Sequence, residues 1–147
     1  MRIYLAAAMT HTGRDLDAIL ALLRCLEADG HLVPTRHVAD PRGRDVEGPA
    51  TDSEVARRDL DWVAGCDALV AEVSTPSHGV GVEVATALAA RKPVFLVYRR
   101  GTLVSRLVLG LPGVEARAYA NVHEACEAVR LFLSGVRATL ADRPAAR

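Results

Sequence analysis

Aromatic residues are scarce: Phe, Trp and Tyr make up 4% of the 147 residues. No flavin-stacking pair stands out, which disfavours a plain flavin redox carrier. Charge of one sign is also missing, because 18 basic and 18 acidic residues cancel. A neutral chain has no global field to hold a polyanion, so polymeric nucleic acid is not an expected partner. A local patch can still hold one phosphate. Hydrophobic residues reach 50%, yet no apolar run approaches the roughly 18 residues that a membrane helix requires. The start, Met1-Arg2-Ile3-Tyr4-Leu5-Ala6-Ala7-Ala8-Met9, is too short for a signal peptide and reads better as a strand. Cys25, Cys66 and Cys126 are far apart and odd in number, without a CxxC. They read as reduced, mostly structural thiols of a cytoplasmic protein. The five histidines form no HExxH or tight ligand triplet, so no metal site is expected. Also missing are a GxGxxG after the first strand, a GK[ST] and a GxSxG nucleophile elbow.

What is present is an alternation of apolar runs and helical stripes. Ile3 to Ala7 reads as strand one. Leu16, Ile19, Leu20, Leu23 and Leu26 recur at helical spacing, with Gly30 a candidate C-cap. Leu32-Val33 reads as a short second strand. From Arg36 to Ala50, Asp40-Pro41, Gly43 and Gly48-Pro49 break structure. A loop of that length favours a lid or wall. Thr51-Asp52-Ser53-Glu54 fits a capping box opening a helix that runs to Gly65. Ala68 to Val73 is the clearest strand, and Gly81 to Ala90 the next helix. Pro93 to Tyr98 reads as strand four, Leu103 to Leu109 as a short helix, Glu115 to Tyr119 as strand five and Val122 to Val136 as the last long helix. The expected fold is α/β: a doubly wound, mostly parallel, five-stranded open sheet in a three-layer sandwich of Rossmann-like or flavodoxin-like type. Order 2-1-3-4-5 is the simplest. Residues 1–140 make one domain, with 141–147 a flexible tail. In that order the chain reverses between strands one and three. The loops at Ala7 to Arg14 and Ser74 to Glu83 then meet over one crevice, where open sheets bind ligands.

Ser77-His78-Gly79-Val80-Gly81-Val82-Glu83 therefore stands at the edge of a central strand. Ser77, Gly79 and Gly81 offer a hydroxyl and unobstructed N–H groups, suited to holding an anion. Glu83 is expected in the first turn of the following helix. The ordinary account is a surface carboxylate favoured by the helix dipole; the functional one is an ionised nucleophile kept charged by that dipole. Asp59 lies four residues after Val55 and three before Trp62, so it shares their side of its helix, whereas Asp61 points to water. An inward carboxylate needs a partner. A neighbouring arginine is one candidate partner, and a catalytic pairing with Glu83 the other. Tyr4 is a core residue or the group that orients Glu83. His37 is a candidate for a base or sugar contact.

These residues resemble the 2'-deoxynucleoside 5'-monophosphate N-glycosidases, within the nucleoside 2-deoxyribosyltransferase superfamily. The anchors are Ile3 to Met9, Thr35-Arg36-His37-Val38-Ala39-Asp40, Arg58-Asp59-Leu60-Asp61-Trp62, the specific run Asp67 to Glu83, Lys92-Pro93 and Leu103-Val104-Ser105. The resemblance implies Glu83 as nucleophile, Asp59 as its acid/base partner and Tyr4 as the tyrosine that positions the carboxylate. It implies Ser77, Gly79 and Ser105 as 5'-phosphate contacts, Ser105 donated by the neighbouring subunit of a homodimer. It sets His37 on the nucleobase side and calls for no cofactor. Where that family carries Gly-Ser-Ile-Arg, this chain has Ala7-Ala8-Met9-Thr10. Ala7 thus faces the substrate in place of a glycine, and His11 and Arg14 are the candidates to replace the arginine charge.

The chemistry so implied is hydrolysis of a deoxynucleotide N-glycosidic bond through an oxocarbenium-like state and a glycosyl ester. The alternatives are base exchange by a nucleoside deoxyribosyltransferase and a non-catalytic nucleotide-sensing domain, which needs no paired acids.

Overall fold

Four apolar runs build one parallel sheet: β1 (Ile3–Ala7), β2 (Ala68–Glu72), β3 (Val94–Arg99) and β4 (Val114–Tyr119), side by side in that order. The computed structural model describes residues 1–141, the side chain of Arg44 excepted. The helices are α1 (Leu16–Ala28), α2 (Asp52–Gly65), α3 (His78–Ala89), α4 (Arg106–Leu109) and α5 (Val122–Ala141). Strands β1 and β2 are buried at every position, as a sheet covered on both faces requires. Alternation along the strands sorts their side chains into two cores. Ile3, Leu5, Val70, Phe95 and Val97 pack with α1 and α5 through Ile19, Leu22, Val129 and Leu133. Tyr4, Ala6, Leu69, Ala71 and Leu96 pack with α2 and α3 through Val63, Val80, Val84 and Ala87.

The sheet has four strands among the described residues, not the expected five. Leu32 makes only an isolated parallel bridge to Arg2, on the side of β1 where the second strand was expected. Pro34 follows at once and cannot donate to a ladder. The side chain of Thr35 then does the work of a strand. Its hydroxyl donates to the Leu5 carbonyl at 2.7 Å and accepts the Leu5 N–H at 3.0 Å. The open edge of β1 is thereby satisfied without further pairing.

Element boundaries also differ, those of β2, β3 and β4 and the end of α3 by one residue. Helix α3 begins at His78 rather than Gly81, because the Ser77 hydroxyl caps it by accepting the Val80 N–H. Gly79 therefore joins Gly81 inside the helix, and the Gly81 N–H, expected to be unobstructed, donates to the Ser77 carbonyl at 3.2 Å. The stretch expected as a bare loop from Arg36 to Ala50 contains two 3-10 turns, Arg36–Ala39 and Gly43–Glu47. The short helix α4 starts at Arg106, capped by Ser105. Helix α5 extends five residues past Val136 to Ala141. The rest of the expected tail, 142–147, lies outside the described residues. No helix among the described residues is long and apolar enough to cross a membrane. Cys25, Cys66 and Cys126 are all free thiols.

Candidate active site

Two side chains from distant parts of the sequence meet below the C-terminal edge of the sheet. Tyr4 points from β1 to the α2/α3 face, and its buried hydroxyl donates to Glu83 Oε1 at 2.8 Å. Glu83 is in the second turn of α3, not the first, so the dipole at the helix start reaches it weakly. Burial dominates instead. It pushes the Glu83 carboxyl up to about 7; the Tyr4 hydrogen bond works against this, and the charge of Asp59 adds to it. Tyr4 itself is held far above the ordinary phenol range by burial and by the Glu83 charge.

Asp59 faces the same side. Its side chain is 20% exposed and lies 2.8 Å from a terminal nitrogen of Arg58, whose Nε also donates to Asp59 Oδ1 at 2.9 Å. The neighbouring arginine is therefore present as a partner of Asp59, and the Asp59 charge adds to the raised pKa of Glu83. Asp61 is exposed, as its helical position dictates. The Arg58 guanidinium lies over the Trp62 ring, 4.8 Å from the centroid. His37 is close by, its Nε2 3.4 Å from Arg58 and its ring 5.8 Å from that of Trp62. Burial, and then the Arg58 charge, lower the pKa of His37.

A cleft of about 1060 Å³ opens over the acids. One end is formed by Ala7, Met9, Thr10 and His11 from the segment after β1, together with Ser77, His78 and Gly79 at the start of α3. The two loops are joined where Thr75 Oγ1 donates to the Gly13 carbonyl at 3.5 Å. Glu47, Gly48 and Ala50 form a wall opposite α2 residues Val55, Ala56 and Asp59, with Glu83 also lining the cleft. Ala7, Asp59, Ser77, Gly79 and Glu83 are thus brought together, with Tyr4 directly behind Glu83. His37, Gly81 and Ser105 do not line this cleft. His37 is in the first 3-10 turn of the same segment as the wall and packs against Arg58 and Trp62 instead. Ser105 is exposed at the start of α4, its hydroxyl 3.5 Å from the Val108 N–H. Arg14 is not available to the cleft. Its guanidinium donates to the backbone carbonyls of Ala8, Val38 and Asp40. His11 does line it, and its Nδ1 accepts the Gly13 N–H at 3.0 Å. A neutral His11 therefore carries its proton on Nε2, as a donor. A second groove, of about 1200 Å³ between β4 and α5, is larger, but none of the expected site residues lines it.

A model of the nucleoside 2-deoxyribosyltransferase family matches residues 3–131. The chain belongs to that family. Within it, a relative from Thermofilum pendens, provisionally named 2'-deoxynucleoside 5'-phosphate N-hydrolase 1, is 42% identical, covering 92% of this chain and 96% of its own. The rat 5-hydroxymethyl-dUMP N-hydrolase is 38% identical over 67% of this chain and 63% of its own. Among solved structures, the CMP N-glycosidase of Clostridium botulinum superposes with a TM-score of 0.64 at 20% identity, covering 88% of this chain and 99% of that one. That last likeness is one of fold. Membership of the nucleoside 2-deoxyribosyltransferase family makes this chain an enzyme of the N-hydrolase and deoxyribosyltransferase group, and argues against a purely sensing domain.

One residue of the site escaped the sequence reading. Glu47 stands in a stretch rich in chain breakers, with no periodicity to give its direction. Arg58 is the neighbouring arginine expected beside Asp59, but its second contact, to Glu47, had no signal in the sequence.

Proposed function

We propose that this chain hydrolyses the N-glycosidic bond of 2'-deoxynucleoside 5'-monophosphates, giving free base and 2-deoxyribose 5-phosphate. The observation that carries this reading is the Glu83 carboxylate, hydrogen-bonded by Tyr4 and faced by Asp59 in one cleft. Two carboxyl groups with different surroundings suit cleavage through an oxocarbenium-like state. Glu83 attacks C1' on the face opposite the base and forms a transient deoxyribosyl ester. Asp59 delivers a proton to the departing base and later takes one from the water that cleaves the ester. Tyr4 holds Glu83 Oε1, so the carboxylate cannot swing away from C1'. Ser77 and Gly79 receive the 5'-phosphate at the start of α3, where the first N–H groups have no acceptor within the preceding turn of helix. Ala7 keeps the floor of the cleft low under the sugar. Ser105 reaches the phosphate from a second copy of the chain in a homodimer. His37 supports the nucleobase side through Arg58 and Trp62. The names of the relatives favour monophosphate substrates: one is a 2'-deoxynucleoside 5'-phosphate N-hydrolase, another acts on 5-hydroxymethyl-dUMP.

The family description favours a second reading, in which another base captures the ester and the product is an exchanged nucleoside. One experiment separates the two. The chain is incubated with deoxynucleoside and ribonucleoside monophosphates and with the unphosphorylated nucleosides, with and without a second free base, and products are separated by chromatography. Hydrolysis predicts free base from deoxynucleoside monophosphates. Glu83→Ala is expected to lower that release by about a thousandfold or more. Wild-type release by E83A rejects Glu83 as nucleophile. Exchange outrunning hydrolysis selects the transferase. Equal rates with and without the phosphate reject the phosphate requirement.

A further inference from the structure

The cluster around Arg58 goes beyond the acids of the proposed reaction. One guanidinium serves two carboxylates: Asp59 on its own helix, at 2.8 and 2.9 Å, and Glu47 on the wall, at 2.7 Å. The three side chains are 30%, 20% and 15% exposed respectively, so water screens these contacts only in part. Charge-assisted hydrogen bonds in such a place are strong, and losing the cation leaves two carboxylates without their partner. The fork of donors fixes direction as well as charge. The Trp62 ring beneath it and His37 beside it hold the guanidinium in place. The wall is therefore tied to the body of the protein at two points. Arg14 grips its first part through the Val38 and Asp40 carbonyls, and Arg58 grips its second part through Glu47.

We infer that Arg58 is a positioning residue, which sets the acid–base carboxylate and the wall of the cleft together through one shared ion-pair cluster. It acts through Asp59 and Glu47 and touches no reacting atom. The inference rests on the proposed hydrolysis. A proton donor must be within hydrogen-bond reach of the departing base. A displacement of about 1 Å is enough to cost about 100-fold in rate. Lysine cannot replace this arginine in full, because a single ammonium lacks the fork that spans both acids.

The test is steady-state release of base by the wild type, Arg58→Ala, Arg58→Lys and Arg130→Gln, with thermal melts of each. Arg130 supplies the control: it makes an ion pair with Asp29 between α5 and the end of α1, on the face of the sheet opposite α2 and α3. The expected result is a fall in kcat of about 10- to 100-fold in R58A, a smaller fall in R58K and none in R130Q. Methylguanidine at millimolar concentration is expected to restore part of the R58A kcat while leaving the wild type unchanged. A kcat for R58A within about threefold of wild type overturns the inference. So does a fall in kcat that tracks a lower melting point and that methylguanidine does not repair, since that marks a purely structural arginine. If the wild type releases no base from any monophosphate, the proposed hydrolysis falls, and this role of Arg58 with it. If the wild type is active and E83A is dead while R58A is unaffected, only the role of Arg58 falls.

Discussion

At Glu83 two demands oppose each other. A nucleophile has to be ionised, and the cleft keeps it dry. Burial lifts its carboxyl to about 7 from an ordinary 4.5, and the Tyr4 hydroxyl recovers part of the difference. This has a direct consequence for stability. A carboxyl with a higher pKa in the folded state holds its proton better folded than unfolded. Its contribution is complete below the unfolded value and is lost as pH rises through about 7. At pH 8 the wild type therefore keeps a buried charge that a neutral isostere avoids. Glu83→Gln retains an oxygen to accept from Tyr4, and it is expected to raise the stability at pH 8 by up to about 3 kcal/mol. At pH 4 the two proteins are expected to melt nearly together, because the wild-type carboxyl is then mostly protonated in the folded and the unfolded state alike. Thermal melts of both at each pH decide the matter. An equal gap at the two pH values, or a less stable E83Q at pH 8, rejects burial of the charge as its origin.

Among the elements, those fixed by local chemistry were legible in the sequence. Thr51 and Glu54 form the expected capping box, with the Thr51 N–H donating to Glu54 at 2.9 Å and the Glu54 N–H to Thr51 at 3.3 Å. Gly30, at φ +77°, ends α1 with the His31 N–H on the Leu26 carbonyl and its own on Glu27, as a Schellman motif requires. Illegible were the features that depend on contacts across the fold. Thr35 standing in for a strand cannot be seen from Leu32-Val33. Gly79 beside Ser77 suggested a loop, whereas the serine cap was the stronger signal. The direction of Glu47 depends on Arg58, eleven residues on. The wall also depends on Gly43. Its φ is +59°, and a Cβ there would come within 2.6 Å of the Met9 carbonyl oxygen, a backbone atom that cannot yield cheaply. Gly43→Ala is therefore expected to cost more than about 1 kcal/mol, from strain and clash together. Because Met9 lines the cleft, the same substitution is expected to raise KM more than it lowers kcat. Melting curves and substrate titrations check both. A G43A protein with wild-type melting and KM rejects close packing of the wall on the segment after β1.

Across the whole molecule the charges balance, so no long-range field brings two copies together. In the proposed homodimer, apolar contact does it. Leu103 is 94% exposed and Leu107 75%, and the two flank Ser105, whose hydroxyl is also at the surface. Their neighbours Val104 and Val108 turn inward and pack on the α2/α3 core, which fixes the outward direction of the leucines. Single exposed leucines are ordinary; two that bracket a residue expected to serve another subunit's cleft have a more specific use. Covering them with a second copy buries apolar surface and carries Ser105 off its own molecule in the same step. Leu107→Glu introduces a charge into that contact and is expected to convert a dimer to a monomer in sedimentation velocity. KM for the monophosphate is expected to rise with it, while the circular dichroism of the helices stays unchanged. Ser105→Ala, which leaves the leucines in place, is expected to raise KM without dissociating the dimer. A wild type that sediments as a monomer, or a monomeric L107E with unaltered KM, separates the cleft from any partner and rejects the shared site.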